Sequence, residues 1–162
     1  MNADEIITRK ISIANEIIEE LKNSKSPRIE ILLATNYSEF ILKNFMEFLL
    51  QSGEARRIPR DTITDILEDR KIIDKELADD IRKLFHIRDA YAHKPSLNEA
   101  NEYVEKQVLP NLNCVKKESP KFTDWDKRPL TQKIFDACEW IFVHLDMRFH
   151  DIVEPIDPSP DT

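Results

Sequence analysis

Apolar residues return at three- and four-residue steps over one long stretch of this chain after another, and they rarely alternate. That is the period of helical faces, not of half-buried strands. With a single glycine, Gly53, among 162 residues and 34% charged side chains, the pattern predicts an all-α protein. A chain of this length suits one domain and can bury about two thirds of its unfolded surface. We expect an up-and-down bundle of five to six helices over residues 1–153, followed by a disordered proline-rich tail, 154–162, with Pro155, Pro158 and Pro160.

The first helix sets Ile7, Ile11, Ala14, Ile18 and Leu21 on one stripe, widened by Ile6, Ile13 and Ile17. Ser26 is the expected N-cap of the next helix, with Pro27 at its first position. That helix, the longest, runs to about Ser52 with Leu33, Tyr37, Phe40, Ile41, Phe45, Phe48 and Leu49 inward, and Gly53 supplies a left-handed cap. Arg56, Arg57 and Arg60 follow in a connector, read first as a solvated loop and second as a contact to an RNA backbone. Asp61 and Asp74 should each cap a helix. Ser96 and Glu99 have capping-box spacing, and Pro110 should interrupt the helix they start. Residues 110–129, with Lys116 and Lys117, read as a long loop whose Phe122 and Trp125 cover the bundle. The last helix is apolar on more than one side, with Trp140, Phe142 and Val143 beyond its main face, so it should be central or at a subunit interface.

Several chemistries drop out. One glycine allows no glycine-rich phosphate loop, and there is no Walker pattern or serine nucleophile elbow. His86 and His93 are seven apart, and His144 and His150 six apart, neither being the spacing that sets two ligands on one helical turn. No metal site and no cofactor are expected. Cys114 and Cys138, without a signal peptide, suggest a reducing cytoplasm and no disulfide framework. The apolar runs are too short for a membrane span. A net charge of −7 argues against a general electrostatic nucleic-acid binder, although a small basic cleft is compatible with it.

The informative stretch is 84–95. Leu77, Ala78, Ile81, Leu84, Phe85, Tyr91 and Ala92 form one apolar stripe, and Arg88 falls on it. A guanidinium on a packing face is costly unless it is paired or faces a wet cleft. Asp89 is about 100° away around the helix and need not be its partner. His93 lies about 140° away and can approach Arg88 only if the helix ends there or a second copy supplies it. Pro95 favours such an ending.

An arginine, a polar residue and, four residues after the arginine, a histidine in a helical bundle resemble the signature of the HEPN superfamily. The run from Ile87 to His93, followed by the capped helix at Ser96, is similar to small prokaryotic members related to the mannitol-repressor group. The resemblance covers residues 28–150 in helix order, and only the motif and its flanks at residue level. It implies a metal-independent ribonuclease of the toxin or defence kind, working as a homodimer with two motifs facing each other, on an RNA substrate and under an antitoxin or regulatory protein. Arg88 and His93 are then the catalytic candidates, with Asp89 orienting one of them. Tyr91, Lys94, Arg56 and Arg57 are the candidates for contact with RNA, with packing the first reading for Tyr91. Toxin members that are modified on a tyrosine two residues after the histidine differ here, where that place is Pro95. The alternative is a non-catalytic dimeric interaction or transcription-regulator module built on the same stripe.

Overall fold

The structure, a computed structural model, describes residues 3–116 and 120–153; the expected tail and Lys117 lie outside them. The described residues contain no β-strand. The helices are α1 (Ala3–Asn23), α2 (Pro27–Leu50), α3 (Arg60–Asp69), α4 (Lys75–His93), α5 (Leu97–Tyr103), α6 (Asn113–Lys116) and α7 (Leu130–Val153). Five of these have ten residues or more, and α5 with its irregular continuation makes a sixth, in line with the expected all-α bundle.

α2 is the hub, packed by α1, α3, α4 and α7. Tyr37 meets Phe142 edge-on at 5.2 Å, and Phe45 meets Phe149 at 4.9 Å, so α2 and α7 run parallel. α4 runs against α2, since Arg28 reaches the Lys94 carbonyl and Asn36 meets Arg88. Ile41, Leu42, Phe45, Leu84, Ile87, Ile141 and Leu145 fill the space between them.

Two caps form as expected. The Asp74 carboxylate accepts the Leu77 N–H at 2.8 Å, and the Ser96 hydroxyl oxygen accepts the Glu99 N–H at 3.1 Å while donating to the Glu99 carboxylate. Three others differ. Ser26 holds the N-cap place of α2 without a side-chain cap bond, because its own N–H is turned to the Ser24 hydroxyl. Gln51, not Gly53, adopts the left-handed conformation (φ 49°) after α2; Gly53 instead opens a 3₁₀ turn, Gly53–Arg57, with Ser52 capping Glu54. Asp61 sits inside the first turn of α3, which starts at Arg60 behind Pro59, and there its charge suits the helix dipole.

Pro110 acts as expected by an unexpected route. Its ring would collide with the carbonyl four residues back, and the chain widens first: the Leu109 N–H bonds to Val104, five residues behind, in a π turn over Val104–Val108. The long connection that follows is a series of single turns. Asp80 of α4 accepts the Asn113 and Cys114 N–H groups at 2.7 Å each, which pins α6 to the bundle. Phe122 is buried against Trp125 and Trp140, so the aromatics do cover the bundle. His144 rests on the Trp140 ring and on that residue's carbonyl.

α1 corrects the sequence reading. Ile11 and Ile18, placed on its buried stripe, face solvent, while Lys10 is buried. The cause is two charged attachments: Arg9 to the buried Glu47 of α2, and Lys10 to Asp146 of α7. Glu47 also takes Arg56, so the carboxylate is satisfied twice.

Candidate functional site

The polar end of α4 is set by its register on α2. Arg88, expected on the packing stripe, lies at the edge of that stripe, with 31% of its side chain exposed. Its Nη1 donates to Asp89 Oδ1 at 3.0 Å and its Nε to Asn36 Oδ1 at 3.4 Å. Asp89 is therefore its partner after all: the long guanidinium stem bends across the 100° that separate the two Cα positions. Nη2 of Arg88 has no partner among the described residues.

Asp89 is shared. Its Oδ2 accepts from Arg60 Nη2 at 2.6 Å, and Arg60 Nη1 lies 3.8 Å from Glu39 on α2. The Arg60 guanidinium is stacked over the Phe85 ring at 4.6 Å. The side chains Asn36, Arg88, Asp89, Arg60 and Glu39 thus form a circuit that leaves α2, crosses α4 and α3, and returns to α2 one turn on. Burial alone raises the Asp89 carboxyl, but hydrogen bonds from Arg60 and then Arg88 outweigh it and hold the group below the usual carboxylate range.

That shift has a stability consequence. A carboxylate with a depressed pKa in the folded state stabilises above its unfolded value, near 3.9, and the contribution is lost as pH falls through the folded value. Asp89→Asn should therefore melt below the wild type at neutral pH. The gap should close as the pH is taken below about 4, as read by thermal unfolding across a pH series.

His93 occupies the last position of α4, which stays helical until Lys94 turns extended (ψ 139°). Its direction thus remains about 140° from that of Arg88, and His93, which is exposed, hydrogen-bonds to no described residue. Lys94 lies with its ammonium over the Tyr103 ring at 4.7 Å, and Arg28 donates to the Lys94 carbonyl at 3.2 Å. Arg28, His93 and Lys94 make the end of α4 locally basic, where orphan carbonyls of a helix favour cations.

The other candidates separate from this end. Tyr91 is fully buried and donates to Asn101 Oδ1 at 2.6 Å, so its ring packs and no base can stack on it. Burial pushes its hydroxyl up to about 12, keeping it a donor. Arg56 is held by Glu47, eleven residues beyond Asn36 on α2 and about 16 Å further along the axis, while Arg57 is exposed beside Glu54. Cys114 and Cys138 are buried, free thiols, and burial raises the latter to about 12.

Asn36, Glu39 and the role of Arg60 are not evident from the sequence. The single signal is that Asn36 and Glu39 share an exposed edge of α2 at a three-residue step. Among the described residues no group of three or more His, Cys, Asp or Glu side chains is placed to hold a metal ion, and no helix is long and apolar enough to cross a membrane. The fold and site define an all-α helical bundle with a guanidinium–carboxylate circuit at its polar end. Compared with family models, curated proteins and solved structures, the chain matches none.

Proposed function

We propose that this chain is a metal-independent endoribonuclease of the HEPN kind, cleaving RNA by attack of a ribose 2′-hydroxyl on the adjacent phosphorus. The observation that carries the reading is the pairing, at one end of α4, of an exposed His93 with an Arg88 whose Nη2 is uncommitted. His93, whose type titrates near 6.5, takes the 2′-hydroxyl proton or returns one to the leaving 5′-oxygen. The free edge of Arg88 receives the charge that grows on the phosphorane oxygens. Asp89, itself held by Arg60, orients the guanidinium.

Within one protomer Arg88 and His93 diverge, and the homodimer that the resemblance implies supplies each His93 with an arginine from the second copy. An antitoxin-like protein partner belongs to the same proposal. The products are a 2′,3′-cyclic phosphate and a 5′-hydroxyl. The test is cleavage of an end-labelled RNA mixture in excess EDTA with analysis of the product ends: cyclic-phosphate ends are the expected result, and cleavage that EDTA abolishes would sink it.

One observation favours a second reading. Arg88 is tied to Asp89 and Asn36 as a strut between helices would be, which suits a non-catalytic interaction module. Its signature is a folded protein inert towards RNA.

A further inference from the structure

The outward edge of α1 is the largest departure from ordinary burial in the molecule. Ile11 and Ile18 are 55% and 46% exposed, and Ile7, Ala14 and Leu21 between and beyond them are only half-buried. These five residues step by four and three along the helix, the 3.5-residue repeat of a coiled-coil seam. Nothing in the chain's own fold uses that seam, because α1 is attached through Arg9 and Lys10 on its other side. On α7, Val143 and Met147 are 49% and 59% exposed on either side of Asp146, the residue that takes Lys10, so they extend the apolar surface beside Ile11.

We propose that this surface is a self-association face, in which α1 pairs antiparallel with α1 of a second copy. The sequence of the seam is complementary to itself in that register. Ile7 falls opposite Ile18, and Ile11 opposite Ala14, each twice by the two-fold, so that a small residue receives a large one at the centre. Charge agrees. Asp4 and Lys22 are eighteen residues apart, five whole turns, and so lie on the same flank of α1. An antiparallel two-fold brings same-side flanks together, which sets Asp4 of each copy beside Lys22 of the other. A parallel pairing would instead set Asp4 on Asp4 and Lys22 on Lys22. Lys22 is held in the protomer only by exposed Glu19 at 2.7 Å, a contact that leaves it available. The face is separate from the end of α4 and does not depend on the ribonuclease reading.

The test is the mass of the full chain by sedimentation up to about 100 µM, with charge reversal as the specific probe. The wild type should associate, and Ile11→Asp with Ile18→Asp should halve its assembly mass; both positions are exposed, so circular dichroism and melting should be unchanged. Asp4→Lys or Lys22→Asp alone should raise the dissociation constant about tenfold, and the two together should restore it to within about twofold. A wild type with the mass of one chain, an assembly that survives the double aspartate variant, or reversals that do not rescue each other would overturn the proposal.

Discussion

RNA cleavage by His93→Ala is expected to fall at least about 100-fold below the wild-type rate, with the protein still folded. The magnitude is that of losing a positioned general acid or base, and the fold is spared because His93 is exposed and holds nothing in place. Arg88→Ala should cost about 100- to 1,000-fold, the usual price of one donor aimed at developing charge. Lysine should not rescue it. An ammonium cannot bond Asn36 and Asp89 and still present a free planar edge to a phosphate. Tyr91→Phe serves as the control: a buried ring whose hydroxyl is engaged with Asn101 should leave the rate within about twofold while losing about 1 kcal/mol of stability. Single-turnover cleavage of a labelled RNA by the four proteins decides the matter. Wild-type turnover by His93→Ala would remove His93 from the mechanism.

Asp80→Ala should be the most damaging substitution outside the apolar core, at about 3 kcal/mol. Its carboxylate is nearly inaccessible and accepts two backbone N–H groups at 2.7 Å, with Lys83 at 3.3 Å. Alanine leaves the Cys114 N–H buried without an acceptor and frees α6 from α4. In a chain of this size the melting temperature should drop by about 6–12 °C. Asparagine offers one oxygen where two are used, so it should recover little. Arg57→Ala, which breaks an exposed contact of 3.9 Å to Glu54, should change stability by less than about 0.5 kcal/mol, and urea unfolding of the three proteins checks the contrast.

What the sequence made legible follows physical range. Helix periods, the Asp74 and Ser96 caps and the helix-breaking Pro110 depend on neighbours within a few residues, and they were readable there. The end of α2 was misassigned because Gly53 is the obvious left-handed residue, yet Gln51 takes that conformation two residues earlier. α1 was misoriented for a different reason. Spacing identifies an apolar stripe but cannot reveal that Arg9 and Lys10 will find Glu47 and Asp146, 38 and 136 residues away, and rotate the stripe outward. The site divides the same way: Arg88, Asp89 and His93 stand close together in the chain, whereas Arg60 and Asn36 come to them across 29 and 52 residues.

The circuit from Asn36 through Arg88, Asp89 and Arg60 to Glu39 also works as an index mark between helices. Apolar ridges on α2 and α4 tolerate sliding, because one leucine fits another's groove almost as well as its own. A slip of one turn, about 5.4 Å, would move Arg88 from Asn36 to Leu32 or Phe40, neither of which can accept an N–H. The alignment of the two helices is therefore encoded in polar side chains at the rim, and the same few atoms that could meet a phosphate also keep the bundle from settling one notch out of step.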